Sequence, residues 1–214
     1  MLIMMGTKPL AETLNKHELK TRQTREQLLR AAETVFVRDG YEKAELGEIA
    51  AMAGRTKGAI YAHFKSKEDI FLALFEERAL RRRAQVEKAI SSSNSTEENR
   101  RLFREEALGI LEDGNWLMLS LEFKLFIIRH PESRERLQEH YDRFLPANQE
   151  KRLAGLIGAV KPSSDAVSRS AAVQLFGSVF SALVVEASLS PKLLDKQMLK
   201  KAAGRIFDAL FPAA

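Results

Sequence analysis

Between Leu46 and Lys67 the chain reads LGEIAAMAGRTKGAIYAHFKSK, the spacing of two short helices joined by a tight turn. Ile49 and Ala50 belong to the inner side of the first helix, Ile60 and Phe64 to that of the second. Helices that cross steeply need small residues where they touch, and Ala50 and Ala53 supply them. The turn needs a residue at home at positive φ, and Gly54 supplies it. From Ile49 to Lys67 there is no acidic residue, whereas Arg55, Lys57, Lys65 and Lys67 are basic and Thr56, Tyr61 and His63 carry hydrogen-bond donors. An acid-free helix with short donors enters the major groove of DNA without repulsion. The plainer alternative is a solvated helical hairpin that happens to be basic.

Working outward, a first helix is expected to start near Thr24, where Thr24 and Gln27 fit a capping box, to bury Leu28, Ala32, Val35 and Phe36, and to stop at Gly40. Residues 1–20 read as a flexible arm, with Lys8, Lys16 and Lys20 within reach of a DNA backbone, or simply as a tail. A fourth helix begins at Ser66, with Asp69 placed to complete its cap, and runs through Ile70, Phe71, Leu74, Phe75 and Leu80 toward Ile90. The polar run SSSNST at 91–96 is the clearest linker. Beyond it, helices are expected at about 97–113, 115–130, 132–160, 165–189 and 192–211, bounded by Gly114-Asn115, Pro131, Pro162 and Pro191, with Pro146 kinking the third. No sustained alternation suggests strands. The expected fold is all-α, with about nine helices: a reading domain at 21–67, a connecting helix at 68–90 and a helical bundle at 91–214.

Composition narrows the chemistry. The 214 residues include no cysteine, which excludes disulfides, zinc fingers and thiol catalysis. His17, His63, His130 and His140 are scattered, with no metal-ligand motif, no phosphate-binding glycine loop and no nucleophile-base pattern, so neither catalysis nor a cofactor is expected. No apolar run reaches about 18 residues, so a cytoplasmic rather than membrane location is expected. Of the net charge of +5, residues 1–67 hold +4, with twelve Lys and Arg against eight Asp and Glu. That asymmetry suits a DNA-facing end. A helical adaptor using the same basic end, together with Arg81-Arg82-Arg83, on an anionic membrane surface is the competing reading.

Two groups in the second half carry further expectations. The helix around Trp116–Ile128 is apolar nearly all round, broken only by Ser120, Glu122 and Lys124, and so belongs in the middle of a domain. Trp116, Phe123 and Phe126, with Phe103, Tyr141 and Phe144, could line a cavity for an apolar or amphipathic molecule, with Glu122, His140 and Glu186 as polar contacts. Ordinary core, and ion pairing of the two glutamates, are the alternatives. Val173, Phe176, Gly177, Phe180, Ser181, Leu183 and Val184 form one broad apolar face, and Met198, Leu199, Ala202, Ile206, Leu210 and Phe211 form another. Faces of this size are rarely left exposed on monomers; burial within the one chain is the alternative to a contact with a second copy.

The stretch Thr24–Glu77 resembles the DNA-binding domain of the TetR family of bacterial regulators. The resemblance rests on Thr24, Ala31-Ala32, Phe36, Gly40-Tyr41, Ile49-Ala50, Ala53-Gly54, Thr56-Lys57-Gly58, Ile60-Tyr61, His63-Phe64 and Ser66-Lys67-Glu68. The run WLMLSLEFKLFIIRHPESR (116–134) is similar to a less specific segment of many members. The chain departs from the pattern at Ala44-Glu45, where a capping Ser or Thr is usual, at Arg55 and at Ala62. The resemblance implies a ligand-responsive repressor, homodimeric through its last two helices, that reads a dyad-symmetric operator and uses the aromatic group as an inducer pocket. It further implies that Thr56, Tyr61, His63 and Lys67 meet phosphate or sugar, that Lys57, Gly58, Ala59, Tyr61 and Ala62 face base edges, and that Thr24 adds a contact.

Overall fold

Asn15, not Thr24, starts the first helix. Its side chain accepts the Glu18 N–H at 2.9 Å while the Glu18 carboxylate accepts the Asn15 N–H at 2.8 Å. This capping box opens α1 (Lys16–Lys43), so Thr24 lies inside the helix and the last residues of the expected arm are helical. The error has a physical source. Residues 16–23 are exposed all round, and a helix turn that packs against nothing leaves no apolar period to read. The computed structural model describes residues 15–90, 95–133, 135–136, 148–159 and 167–212. Lys8, most of the 91–96 linker, and the expected breaks at Pro146 and Pro162 lie outside them.

Near its end α1 turns sharply at Gly40, which adopts φ 75° and ψ 169°, a conformation reserved almost wholly for glycine. Next come α2 (Leu46–Met52) and α3 (Lys57–His63), joined at Gly54 with φ 64°. The turn is closed by the Arg55 N–H on the Ala50 carbonyl, 2.8 Å, and the Gly54 N–H on that of Ala51, 3.0 Å. Glu45 precedes α2 without making a side-chain cap bond. Helix α4 (Lys67–Ile90) is better started: Ser66 Oγ accepts the Asp69 N–H at 3.1 Å, and the Asp69 carboxylate accepts the Lys65 N–H at 2.9 Å.

The remaining elements are α5 (Thr96–Gly109), α6 (Gly114–Arg129), α7 (Gln149–Ile157), α8 (Arg169–Leu189) and α9 (Lys196–Leu210), with single 3₁₀ turns at Ile110–Glu112 and Pro131–Ser133. No strand occurs among the described residues. Ser95, Asp113, Ser168 and Asp195 cap α5, α6, α8 and α9 by accepting the N–H three residues on. Of the helix expected over 132–160, the described residues show α7, with a 3₁₀ turn at its expected start.

Two apolar cores result. The first fills the space between α1 and α4 with Leu28, Val35, Phe36, Ile49, Ile60, Phe64, Ile70 and Phe71, all at most 3% exposed. It is closed from outside the reading domain by Leu119, Phe123 and Phe126 of α6. The second gathers Phe103, Phe176, Phe180, Phe207 and Phe211 from α5, α8 and α9. Helix α6 thus belongs to both halves of the molecule. Its Glu122 carboxylate accepts the Tyr41 N–H at 3.0 Å, just beyond the Gly40 turn. A Cβ on Gly40 would stand 3.2 Å from that carboxylate. Gly40→Ala is therefore expected to lose about 1–3 kcal/mol of stability from backbone strain alone. Urea unfolding checks this, and an unchanged midpoint would show that the turn relaxes freely.

Candidate nucleic-acid interface and ligand cavity

Ile60 and Phe64 are buried against the first core and fix which side of α3 faces outward. Thr56, Lys57, Gly58 and Ala62 are exposed, Tyr61 is 53% exposed, and Ala59 and His63 are partly covered. Burial, and then the nearby Arg25, push the His63 pKa below its ordinary value, so this side chain is a neutral donor near pH 7. Lys65 projects beyond the helix and is exposed. No described carboxylate pairs with Lys57 or Lys65, whereas Arg38 is held by Asp39 and Glu48 and Arg25 by Glu77. Two further expected contacts lie nearby. Lys67 Nζ donates to the Glu42 carbonyl at 2.9 Å and sits 4.7 Å from the centre of the Tyr41 ring, so its charge is braced against the end of α1. Thr24 is partly covered on α1. Arg55, on the turn, donates to the Gln27 side chain at 2.8 Å.

Between the two cores lies a cavity of about 390 Å³, within the range of small-molecule sites. Three rings form one wall. Phe75 of α4 stacks on Phe123 of α6, 3.7 Å between centroids and 4° between planes, and on Trp116 at 5.1 Å. Phe103 of α5 and Phe180 of α8 face them. Trp116, Phe123 and Phe103 were expected here. Glu122 and Phe126 were not placed as expected: they point the other way along α6, Glu122 to Tyr41 and Phe126 into the first core against Tyr41 and Phe71. The α6 residues that line the cavity, Trp116, Leu117, Ser120, Phe123, Lys124 and Ile127, follow the three-and-four spacing of one helix face, and Glu122 falls outside it. His140, Tyr141 and Phe144 lie outside the described residues. Glu186 is exposed on α8. The reading from sequence passed over Lys124, Arg82, Arg83 and Arg152 as lining residues, although Lys124 breaks the same apolar run as Glu122.

The family description "Bacterial regulatory proteins, tetR family" matches residues 28–74, the helices that build this reading surface. Over those residues the chain is similar to the DNA-binding domain of TetR-family regulators. The repressor AcnR of Corynebacterium efficiens is 32% identical over 55% of this chain and 57% of its own length. The chain thus spans little more than half the length of such curated TetR-family relatives. The same all-α fold is found in two solved structures. FadR from Bacillus subtilis in complex with stearoyl-CoA has a TM-score of 0.57 at 21% identity, covering 88% of this chain and 98% of that one. SmeT, the repressor of the Stenotrophomonas maltophilia multidrug efflux pump SmeDEF, has a TM-score of 0.57 at 24% identity, covering 89% of each.

On this TetR-like frame, α8 carries apolar residues on two faces. Ala172, Phe176 and Phe180 point inward and are buried within the one chain, and Val173 and Gly177 border the cavity. The outer face carries the exposed residues Ala171, Leu175, Ala182, Val185 and Leu189, at helical spacings of three, four and seven. Leu193, just after α8, and Met198 on α9 are exposed as well, at 75% and 47%. The face expected at a dimer contact therefore divides. Met198 is exposed, Val184, Ile206 and Leu210 are partly covered, and Phe176 and Phe180 belong to the core. A helix apolar all round offers no period that says which side is inner. Helix α8 is also long and apolar enough, by length and composition, to cross a membrane.

At the far end of α6, His130 bridges Glu42 of α1 and Glu132, 3.1 Å from each, with its ring 4.7 Å from that of Phe126. The hydrogen bond to Glu42 and then that to Glu132 outweigh burial and raise the His130 pKa. A raised folded-state value stabilises fully below the ordinary histidine pKa near 6.5, and that stability is lost as pH rises through the folded value. His130→Gln is expected to reduce the fall in melting temperature of the wild-type chain between mildly acid and mildly alkaline pH. Identical pH profiles for the two proteins would exclude the bridge.

Proposed function

We propose that the protein is a DNA-binding transcriptional regulator acting in the cytoplasm, a repressor that binds a dyad-symmetric operator as a homodimer and releases it when a small apolar or amphipathic effector enters the cavity. The observation that carries this reading is the outward face of α3. Thr56, Lys57, Gly58, Tyr61 and Ala62 stand exposed and acid-free, on a helix whose back is locked by Ile60 and Phe64. Lys57, Gly58, Ala59, Tyr61 and Ala62 reach base edges in the major groove. Thr56, Tyr61, His63 and Lys65 meet the backbone, with Lys67 and Thr24 beside them. The second copy lies on the outer stripe of α8 and on Met198 of α9. Pairing there places two α3 helices on half-sites one or more helical turns apart.

Release requires the effector to favour the arrangement that does not fit DNA. A hundredfold loss of operator affinity corresponds to about 2.7 kcal/mol of that preference. Helix α6 is the lever: one side carries Phe123 and Lys124 into the cavity, and the other holds Tyr41 and the first core through Glu122 and Phe126.

The test is selection of binding sites from a random duplex library by the purified full chain. A dyad-symmetric motif, lost with Tyr61→Ala, is the expected result; only salt-sensitive binding shared by the variant would overturn the reading. Lys57→Ala should change the ranking of related sites, whereas Lys65→Ala should weaken all of them and lower the salt slope by about one unit. Val185→Glu places a charge in the centre of the α8 stripe and should raise the dimer dissociation constant by about a hundredfold. Sedimentation equilibrium reads this directly, and an unaltered dimer would exclude the stripe.

A further inference from the structure

The cavity is apolar in shape but not neutral in charge. Arg82, Arg83, Lys124 and Arg152 line it, and Glu87 is the only carboxylate among its described lining residues. Three of these cations are already engaged. Arg83 and Arg152 share Glu87, at 2.6 and 2.5 Å, and Arg82 donates to the Glu106 carbonyl. Lys124 is different. Its ammonium donates to Ser181 Oγ at 3.0 Å, and Ser181 passes its own hydroxyl hydrogen to the Gly177 carbonyl at 3.0 Å. One neutral oxygen thus serves a group with three N–H donors, and no described carboxylate pairs with it. Burial lowers the Lys124 pKa, which shows that the charged form lacks compensation there. A partly buried cation with donors to spare, beside a stack of three aromatic rings, is the complement of a molecule that is apolar along its body and anionic at one end.

We propose that the cavity selects amphipathic monoanions, and that Lys124 receives the ligand's carboxylate while the Trp116–Phe75–Phe123 wall takes its apolar body. This rests on the cavity being the effector site and narrows the class of effector. A cationic amphipath is excluded by the charge excess of the lining. A neutral one leaves Lys124 as poorly compensated as before.

Trp116 is the chain's single tryptophan and sits in the cavity wall, so its fluorescence reports occupancy without a label. The full chain is titrated at neutral pH with decanoate, decanol and decylamine, which share a chain and differ in head charge. The acid is expected to bind about tenfold tighter than the alcohol or more, and the amine most weakly, as a hydrogen bond to a charged group requires. Lys124→Met should bring the acid down to the level of the alcohol, and Lys124→Arg should keep the preference, with thermal unfolding of each variant checking its fold. Equal binding of acid and alcohol by the wild-type chain, no binding of any of the three, or a preference that survives Lys124→Met would each overturn the proposal. Should Lys124→Met fail to fold, the wild-type comparison of the three head groups decides alone. Site selection on the wild-type chain separates the two readings. A dyad motif without acid preference leaves the regulator and removes this inference, whereas acid preference without operator binding does the reverse.

Discussion

A single carboxylate sets the relation between the two halves of the molecule. Glu122 on α6 accepts the N–H of Tyr41 at the point where α1 breaks through Gly40, and that break fixes where α2 begins and so where α3 points. The N–H lies beside the Tyr41 ring, itself packed with Phe71 and Phe126, where an unpaired donor would cost about 1–3 kcal/mol. The same helix carries Phe123 and Lys124 to the opposite side, so α6 contributes to both the cavity and the turn. Arg78 braces the arrangement from α4 by gripping Asp113, the cap of α6, at 2.7 Å.

Charge is distributed with comparable economy. The reading end is basic, yet most of its arginines are neutralised by neighbours: Arg22 by Glu26, Arg25 by Glu77, Arg38 by Asp39 and Glu48. Lys57 on α3 and Lys65 just after it stand exposed with no salt bridge to a described carboxylate, as do Lys16, Lys20, Lys43 and Arg55 elsewhere on this end. Charge spread over a surface attracts any phosphate, whereas charge on a rigid helix imposes register.

Much of this was legible in the sequence because local rules decide it. Gly54 at the turn, the apolar pair Ile60 and Phe64, and the Ser66–Asp69 cap each fix a feature within a few residues. The aromatic group at Phe103, Trp116 and Phe123 was legible as a set, because an apolar helix must be central. What the sequence could not say is which way such a helix is turned. Phe126 and Glu122 face the reading domain and Lys124 faces the cavity, and only the packing of α1 and α4 against α6 separates them. The same ambiguity hid the inner face of α8. The start of α1 was misplaced for the converse reason: its first turns are exposed all round, so no apolar period marks them, and the cap is made at Asn15–Glu18 rather than at Thr24.

Leu119, Phe123 and Phe126 complete a core that otherwise belongs to residues 28–75, so that core reaches across the polar stretch after α4 to include α6. A transplanted reading domain would meet a foreign α6 and lose the floor of its core.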